Sequence, residues 1–234
     1  MRIRIKLKLQ GKEIPINYKH YLQSFIYLMF GEKFPELHDD GFRFENRPFK
    51  LFVISDIFGK FILKQNLLHF EQNGYFDFAC FEEDMIIQIS KFLTQNTLIH
   101  IGKTIIEHNG FDILQNDFLL KEQMTFKSIS PVTCYIMDEK TIYFEPDSNE
   151  FKNQIINNIV KKHELIYQTN CPDFGIEAIE KIRKRVVHYK NNFVVSFDIK
   201  ITFNNLNKNI LQIILNTGIG SKNSMGFGML RYEN

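Results

Sequence analysis

Residues 2–9 alternate strictly, with Arg2, Arg4, Lys6 and Lys8 on one face and Ile3, Ile5, Leu7 and Leu9 on the other, which predicts a half-buried strand. Its four cations fit a solvated face, or else part of a path for a polyanion. Leu22, Phe25, Ile26 and Met29 recur at helical spacing and predict a helix over Lys19–Phe30, with Gly31 as its C-cap. Glu32–Pro48 is polar and reads as a long loop. Phe49–Ile57 and Phe61–Phe70 read as strands of a hairpin turning at Gly59, and Gly74–Phe81 as a further strand. Met85, Ile86, Ile89 and Phe92 define a second helix over Glu82–Leu93, with acids in its first turn as the helix dipole favours. Thr97–Ile106 reads as a closing strand and Glu107–Gln123 as an irregular join.

The pattern then restarts. Met124–Ile129 and Thr133–Met137 read as short strands broken at Ser130-Pro131, and Ile155, Ile156, Ile159 and Val160 make Phe151–Tyr167 a helix. Gly175–Lys184 and Asn192–Phe203 read as strands, and Leu206–Leu215 as a helix facing inward through Leu206, Ile210, Ile213 and Ile214. Met229–Tyr232 is a last short strand. The order strand, helix, strands, helix, strand, that of a split βαβ unit, is therefore read in the first half and again in the second. The fold class is α+β, with tandem ferredoxin-like βαββαβ domains over residues 1–123 and 124–234.

Composition narrows the function classes. A chain of 234 residues, 44% hydrophobic and 24% charged, is ordinary globular material. Its 24 Phe, nine Tyr and no Trp, beside many Ile, Asn and Lys, fit AT-rich codons as well as function. No apolar run is long enough to span a bilayer, and the alternating N-terminus has no signal-peptide core, so a cytoplasmic protein with no membrane partner is expected. Cys80, Cys134 and Cys171 give neither a metal spacing nor an even disulfide framework, and no cofactor or metal is expected. The net charge of +2 says little, but residues 180–234 hold nine Lys and Arg against three Asp and Glu. Within that stretch Lys181–Lys190 carries five cations and no acid, marking Arg183, Lys184, Arg185 and His188 as candidate polyanion contacts. A solvated face explains the charge alone equally well.

The densest signal is Gly218–Gly228, where four of eleven positions are glycine in two Gly-x-Gly pairs. Gly218, Gly220, Gly226 and Gly228 flank Ser221, Lys222, Asn223 and Ser224, a set of small polar groups and one cation. Exposed backbone N–H groups, hydroxyls and a lysine would cradle phosphate oxygens. A Walker loop or a dinucleotide fingerprint needs a following helix, for which too few residues remain. A plain glycine-rich turn is the bland reading. The form Gly-Ile-Gly-x5-Gly-Phe-Gly-Met resembles the glycine-rich loop of the RAMP superfamily, and in particular its CRISPR-associated repeat-processing endoribonucleases.

That resemblance extends to the N-terminal half. Tyr21-Leu22-Gln23-Ser24-Phe25-Ile26-Tyr27, Leu37-His38 and Lys50-Leu51-Phe52 are similar to the family's helix, loop and strand words. By carry-over it implies Tyr27, His38 and Lys50 as catalytic residues. Metal-free RNA cleavage needs proton transfer at the 2′-hydroxyl and the 5′ leaving oxygen, which suits His38 as general base or acid. Tyr27 would orient or donate to the reacting groups, and Lys50 would stabilise the phosphorane. The gap from His38 to Lys50 is wider than the family form, and Arg43 or Arg47 inside it could take the lysine's role. His20 is the reserve candidate. The resemblance implies cleavage of precursor CRISPR RNA within repeats, leaving 2′,3′-cyclic phosphate and 5′-hydroxyl ends. Repeat RNA is the implied partner, with effector-complex subunits and a homodimer left open. A non-catalytic RAMP-type RNA-binding subunit is the alternative, and a ferredoxin-like protein binding a nucleotide or another protein is a third reading.

Overall fold

The computed structural model describes residues 1–34, 41–44, 47–115 and 119–233, with Glu32 and Arg47 described by backbone alone. The first half runs β1 (Arg2–Leu7), β2 (Glu13–Pro15), α1 (Lys19–Phe30), β3 (Phe42–Phe44), β4 (Arg47–Phe49) and β5 (Phe52–Ile54). It continues with β6 (Phe61–Lys64), β7 (Leu67–Phe70), β8 (Gly74–Cys80), α2 (Glu83–Gln95), β9 (Leu98–Ile101) and β10 (Thr104–Leu114). The second half runs β11 (Gln123–Ser128), β12 (Tyr135–Met137), β13 (Thr141–Tyr143), α3 (Asn149–Tyr167), β14 (Gly175–Tyr189), β15 (Asn192–Asn204), α4 (Lys208–Thr217) and β16 (Leu230–Tyr232).

The two main sheets share one plan. Their orders are β5-β8-β1-β10-β9 and β14-β15-β11-β16, with neighbours antiparallel. In each, the first and third strands of a βαββαβ unit lie side by side at the centre, with the second and fourth outside them. The chain is thus α+β with tandem ferredoxin-like units, and β9 is an added edge strand. Ile3, Ile5 and Phe78 bury one sheet face against Leu22, Ile26, Met85 and Ile89 of α1 and α2. Phe126, Ile199 and Ile201 do the same against Ile155 and Ile159 of α3 and Ile210 and Ile213 of α4. Val53 and Ala79 from the first sheet meet Ile129 and Met229 from the second in a small shared cluster. No helix among the described residues is long and apolar enough to cross a membrane.

Three strand expectations are corrected. Phe61–Phe70 is a hairpin in itself, turning at Gln65 and Asn66, both at positive φ, rather than one strand of a hairpin at Gly59. With β2 it forms a separate small sheet, while β5 joins β8 in the main sheet. Thr97–Ile106 is two strands turning at Gly102, which adopts φ 64°, and much of the expected join is the long strand β10 paired with β1. The expected loop 32–48 holds the β3–β4 hairpin at its end.

The cations of β1 are paired. Arg4 bonds Asp77 at 2.8 Å, Lys6 bonds Asp112 at 2.8 Å and Lys8 bonds Glu107 at 2.6 Å, because β8 and β10 set acids beside it. Arg2 is buried and donates to the Leu230 carbonyl at 2.6 Å, tying β1 to β16.

Candidate functional site

α4 ends at Thr217, and the chain then turns through the glycine-rich segment. Gly218, Gly220, Gly226 and Gly228 all adopt positive φ and all face inward. A Cβ at Gly220 would lie 2.8 Å from the Thr133 carbonyl, and one at Gly228 would collide with the Ile219 carbonyl, so close backbone approach requires glycine here. Hydrogen bonds from Ile219 N to Gly228 O (2.9 Å), Gly228 N to Pro131 O (2.9 Å) and Ser221 N to Thr133 O (2.8 Å) close the loop. The expected cradle of exposed amides is therefore corrected: these N–H groups serve the fold. Only Ser221–Met225 form a half-buried rim.

The rim is braced from below. Asn223 Nδ2 donates to the Ile219 and Phe227 carbonyls at 2.9 and 3.0 Å, across the waist of the loop. Lys162 of α3, only 2% exposed, donates to Thr217 O (3.1 Å), Gly218 O (2.8 Å) and Asn223 Oδ1 (2.8 Å). Burial pushes its ammonium down to about 7, because its partners are neutral dipoles rather than a carboxylate.

α1 approaches from the other side. Buried Lys19 donates to Gly226 O at 2.7 Å and pairs with Asp56, which also holds Arg185 at 2.6 Å. The Tyr18 hydroxyl donates to Asp56 at 3.2 Å. Burial alone would raise the Asp56 carboxyl, but Lys19 and Arg185 outweigh it and hold the pKa below the ordinary value. Further along α1, the Tyr27 hydroxyl lies close to Ser224 on the rim and to Gln23, and Gln23 accepts a hydrogen bond from the Tyr189 hydroxyl. Burial raises the Tyr27 pKa above its ordinary value, so the phenol, already protonated at neutral pH, remains a donor. His20, with Nδ1 2.7 Å from Asn17 O, has its pKa lowered by burial and by nearby Lys190 and His188.

The sequence candidates thus separate. Tyr27 and Ser224, nearly two hundred residues apart, meet. Lys50 follows β4, and its stem lies against Gly41. His38 lies outside the described residues, as does the side chain of Arg47. Arg185 is committed to Asp56 and Asp198, Arg183 bonds Asp198 at 2.7 Å, and Lys184 bonds Glu145 at 2.8 Å. His188 stacks on Phe193 across the β14–β15 hairpin, centroids 5.0 Å apart. Lys19 and Lys162 were not singled out from the sequence. Each sits on the apolar stripe of its helix, and a cation in such a stripe is the signal that marks it.

The family model described as CRISPR associated protein Cas6, C-terminal, matches residues 114–232. A curated relative, CRISPR-associated endoribonuclease Cas6 1 of Methanocaldococcus jannaschii, is 25% identical over 237 residues, covering 97% of this chain and 92% of the relative. A solved structure described as CRISPR associated protein Cas6 superposes with TM-score 0.80 at 25% identity, covering 100% of this chain and 99% of the other. An RAMP protein binding different RNA substrates superposes with TM-score 0.84 at 17% identity over the whole of both chains, a likeness of fold.

Proposed function

This chain belongs to the Cas6 family of CRISPR-associated proteins, and from that membership we propose that it is an endoribonuclease that cuts precursor CRISPR RNA within its repeats, without a metal. The observation that carries this reading is the packing of α1 against the Asn223–Met225 turn, which brings Tyr27 close to Ser224. It sets a catalytic candidate of the N-terminal half against the rim of the glycine-rich loop, so one RNA segment can touch both.

In this reading the 2′-hydroxyl of the nucleotide before the cut attacks the adjacent phosphorus. The P–O5′ bond breaks, leaving a 2′,3′-cyclic phosphate and a 5′-hydroxyl. His38 acts as general base or acid in the two proton transfers. Tyr27, a protonated phenol at neutral pH, donates to the reacting phosphate group. Lys50 neutralises charge on the phosphorane, with Arg43 as the neighbouring cation able to share that role. Ser221, Lys222 and Ser224 grip the RNA backbone, while the four glycines and Asn223, whose side-chain amide is spent on Ile219, Phe227 and Lys162, give the loop its shape. Arg183, Lys184 and His188 line the outer hairpin as further contacts, since surface ion pairs such as those of Arg183 and Lys184 exchange readily for phosphate. Arg185, more deeply paired, serves chiefly to join the two halves.

Lys222→Ala is expected to weaken repeat binding and to lower the slope of log affinity against log salt by about one unit, as loss of one phosphate contact requires. Binding titrations between low and moderate salt check this. An unchanged slope would remove Lys222 from the contact set.

A further inference from the structure

The second half carries an arm for which the cleavage chemistry has no use. β12 and β13 form a two-stranded sheet of their own, pairing Tyr135 with Tyr143, Ile136 with Ile142 and Met137 with Thr141. Such a hairpin normally hides one face in a core. Here Ile136, Met137 and Ile142 are 40%, 78% and 49% exposed. Clustered exposed apolar side chains of this kind mark a contact surface.

The root of the arm is fixed to the glycine-rich loop. Phe144 N donates to Cys134 O at 3.0 Å, and Ser221 N donates to Thr133 O at 2.8 Å. Tyr143 packs with Val187, Val194 and Phe227, and its hydroxyl donates to Phe193 O at 3.2 Å. Tyr135 stands half-buried at the junction, its ring 5.7 Å from that of Tyr143. The ammonium of Lys222 lies 4.7 Å from the Tyr135 ring centroid, and Lys222 itself adopts a left-handed backbone at φ 62°. A cation is thus parked on an aromatic face at the edge of the proposed phosphate rim.

We infer that the arm is a base-stacking platform for single-stranded RNA, with Tyr135 receiving a nucleobase as Lys222 moves from its ring to a phosphate. This rests on the cleavage reading above. Three observations select RNA as the occupant. The platform is continuous with the rim, so a strand gripped at Ser221–Ser224 has its neighbouring base beside Tyr135. Lys222 supplies the charge that a backbone phosphate needs. At the tip of the arm Asp138 and Glu139 outnumber Lys140, and the net negative charge there favours a backbone on the loop side with its bases toward the arm. A lysine over a half-buried ring near the surface is a weak attraction, whereas a base on an aromatic ring is a stronger and sequence-tolerant one, so the exchange favours the bound state.

The chain has no tryptophan, so Tyr135→Trp introduces a single indole reporter. The probe is a single-stranded repeat RNA with 2′-O-methyl sugars, which lacks the attacking hydroxyl. Binding is expected to quench that indole, and one abasic position in the RNA is expected to abolish the quench. Tyr135→Ala is expected to weaken binding about tenfold, and Tyr135→Phe, which keeps the ring, to stay within about twofold of wild type. Thermal midpoints check that the variants remain folded. If wild-type protein binds and cuts repeat RNA, yet the indole is silent and Tyr135→Ala binds as tightly as wild type, the platform is overturned and the cleavage reading stands. If wild-type protein neither binds nor cuts repeat RNA, both fall.

Discussion

His38→Ala is expected to slow single-turnover cleavage of repeat RNA by roughly 10²–10⁴-fold while leaving the RNA dissociation constant near that of wild type. The size follows from the chemistry. A 2′-hydroxyl is a poor nucleophile until its proton is removed, and a 5′-alkoxide is a poor leaving group until it is protonated. A histidine that titrates near neutrality serves either transfer, and losing it costs about 3–5 kcal/mol of transition-state stabilisation. The selectivity for rate over affinity follows from the division of labour. The glycine-loop rim lies nearly two hundred residues away in sequence and makes the proposed backbone contacts without His38. Unchanged cleavage by the variant would remove His38 from the chemistry and bring His20, on the same face of α1 as Gln23 and Tyr27, to the front.

Asp56→Ala is expected to lower stability by about 3–5 kcal/mol and the thermal midpoint by roughly 10 °C. Among the described residues Asp56 is the carboxylate bonded to buried Lys19, and it also pairs with Arg185 from the other half of the chain. Truncation leaves buried Lys19 without its carboxylate and Arg185 with Asp198 alone, and the uncompensated buried charge on Lys19 is what costs so much. The same cluster positions Gly226 through Lys19, so a displaced rim is expected to reduce cleavage as well. The pH dependence follows in sign. The folded pKa of Asp56 lies below its unfolded value, so its contribution is fully present above about pH 4 and fades as pH falls through the folded value. The midpoint gap between wild type and Asp56→Ala is therefore expected to be constant near neutrality and to narrow in acid. Chemical or thermal denaturation checks both. A loss below about 1 kcal/mol would mean that the shared apolar cluster and the Arg2–Leu230 bond join the halves without help from Asp56.

Much of the architecture was legible because helical and strand periods differ. Leu22, Phe25, Ile26 and Met29 placed α1 at its observed limits, and the double βαββαβ order gave the two sheets. Less legible were reversals carried by residues without a turn signature. Gln65 and Asn66 adopt positive φ inside a run that reads as one continuous strand. β10 was missed because its alternation is diluted by Glu107, His108 and Asn109, whose pairing with β1 is long-range.

The site divides in the same way. Local words located Tyr27 and the glycine-rich loop, and the fold brings them together. Arg185 read as a free cation because Asp56 stands 129 residues away, and no local pattern reveals such a partner. Lys19 and Lys162 were readable in principle, as lysines on apolar stripes, but a helix wheel shows only that they are buried. That both end on the carbonyls of one glycine-rich loop needs the fold.

The central claim is tested most directly by incubating the wild-type protein with its own repeat RNA in excess EDTA and identifying the product ends. One cut per repeat, with a 2′,3′-cyclic phosphate on one side and a 5′-hydroxyl on the other, is the predicted result. Binding without cleavage, cleavage abolished by EDTA, or a 5′-phosphate end would contradict it.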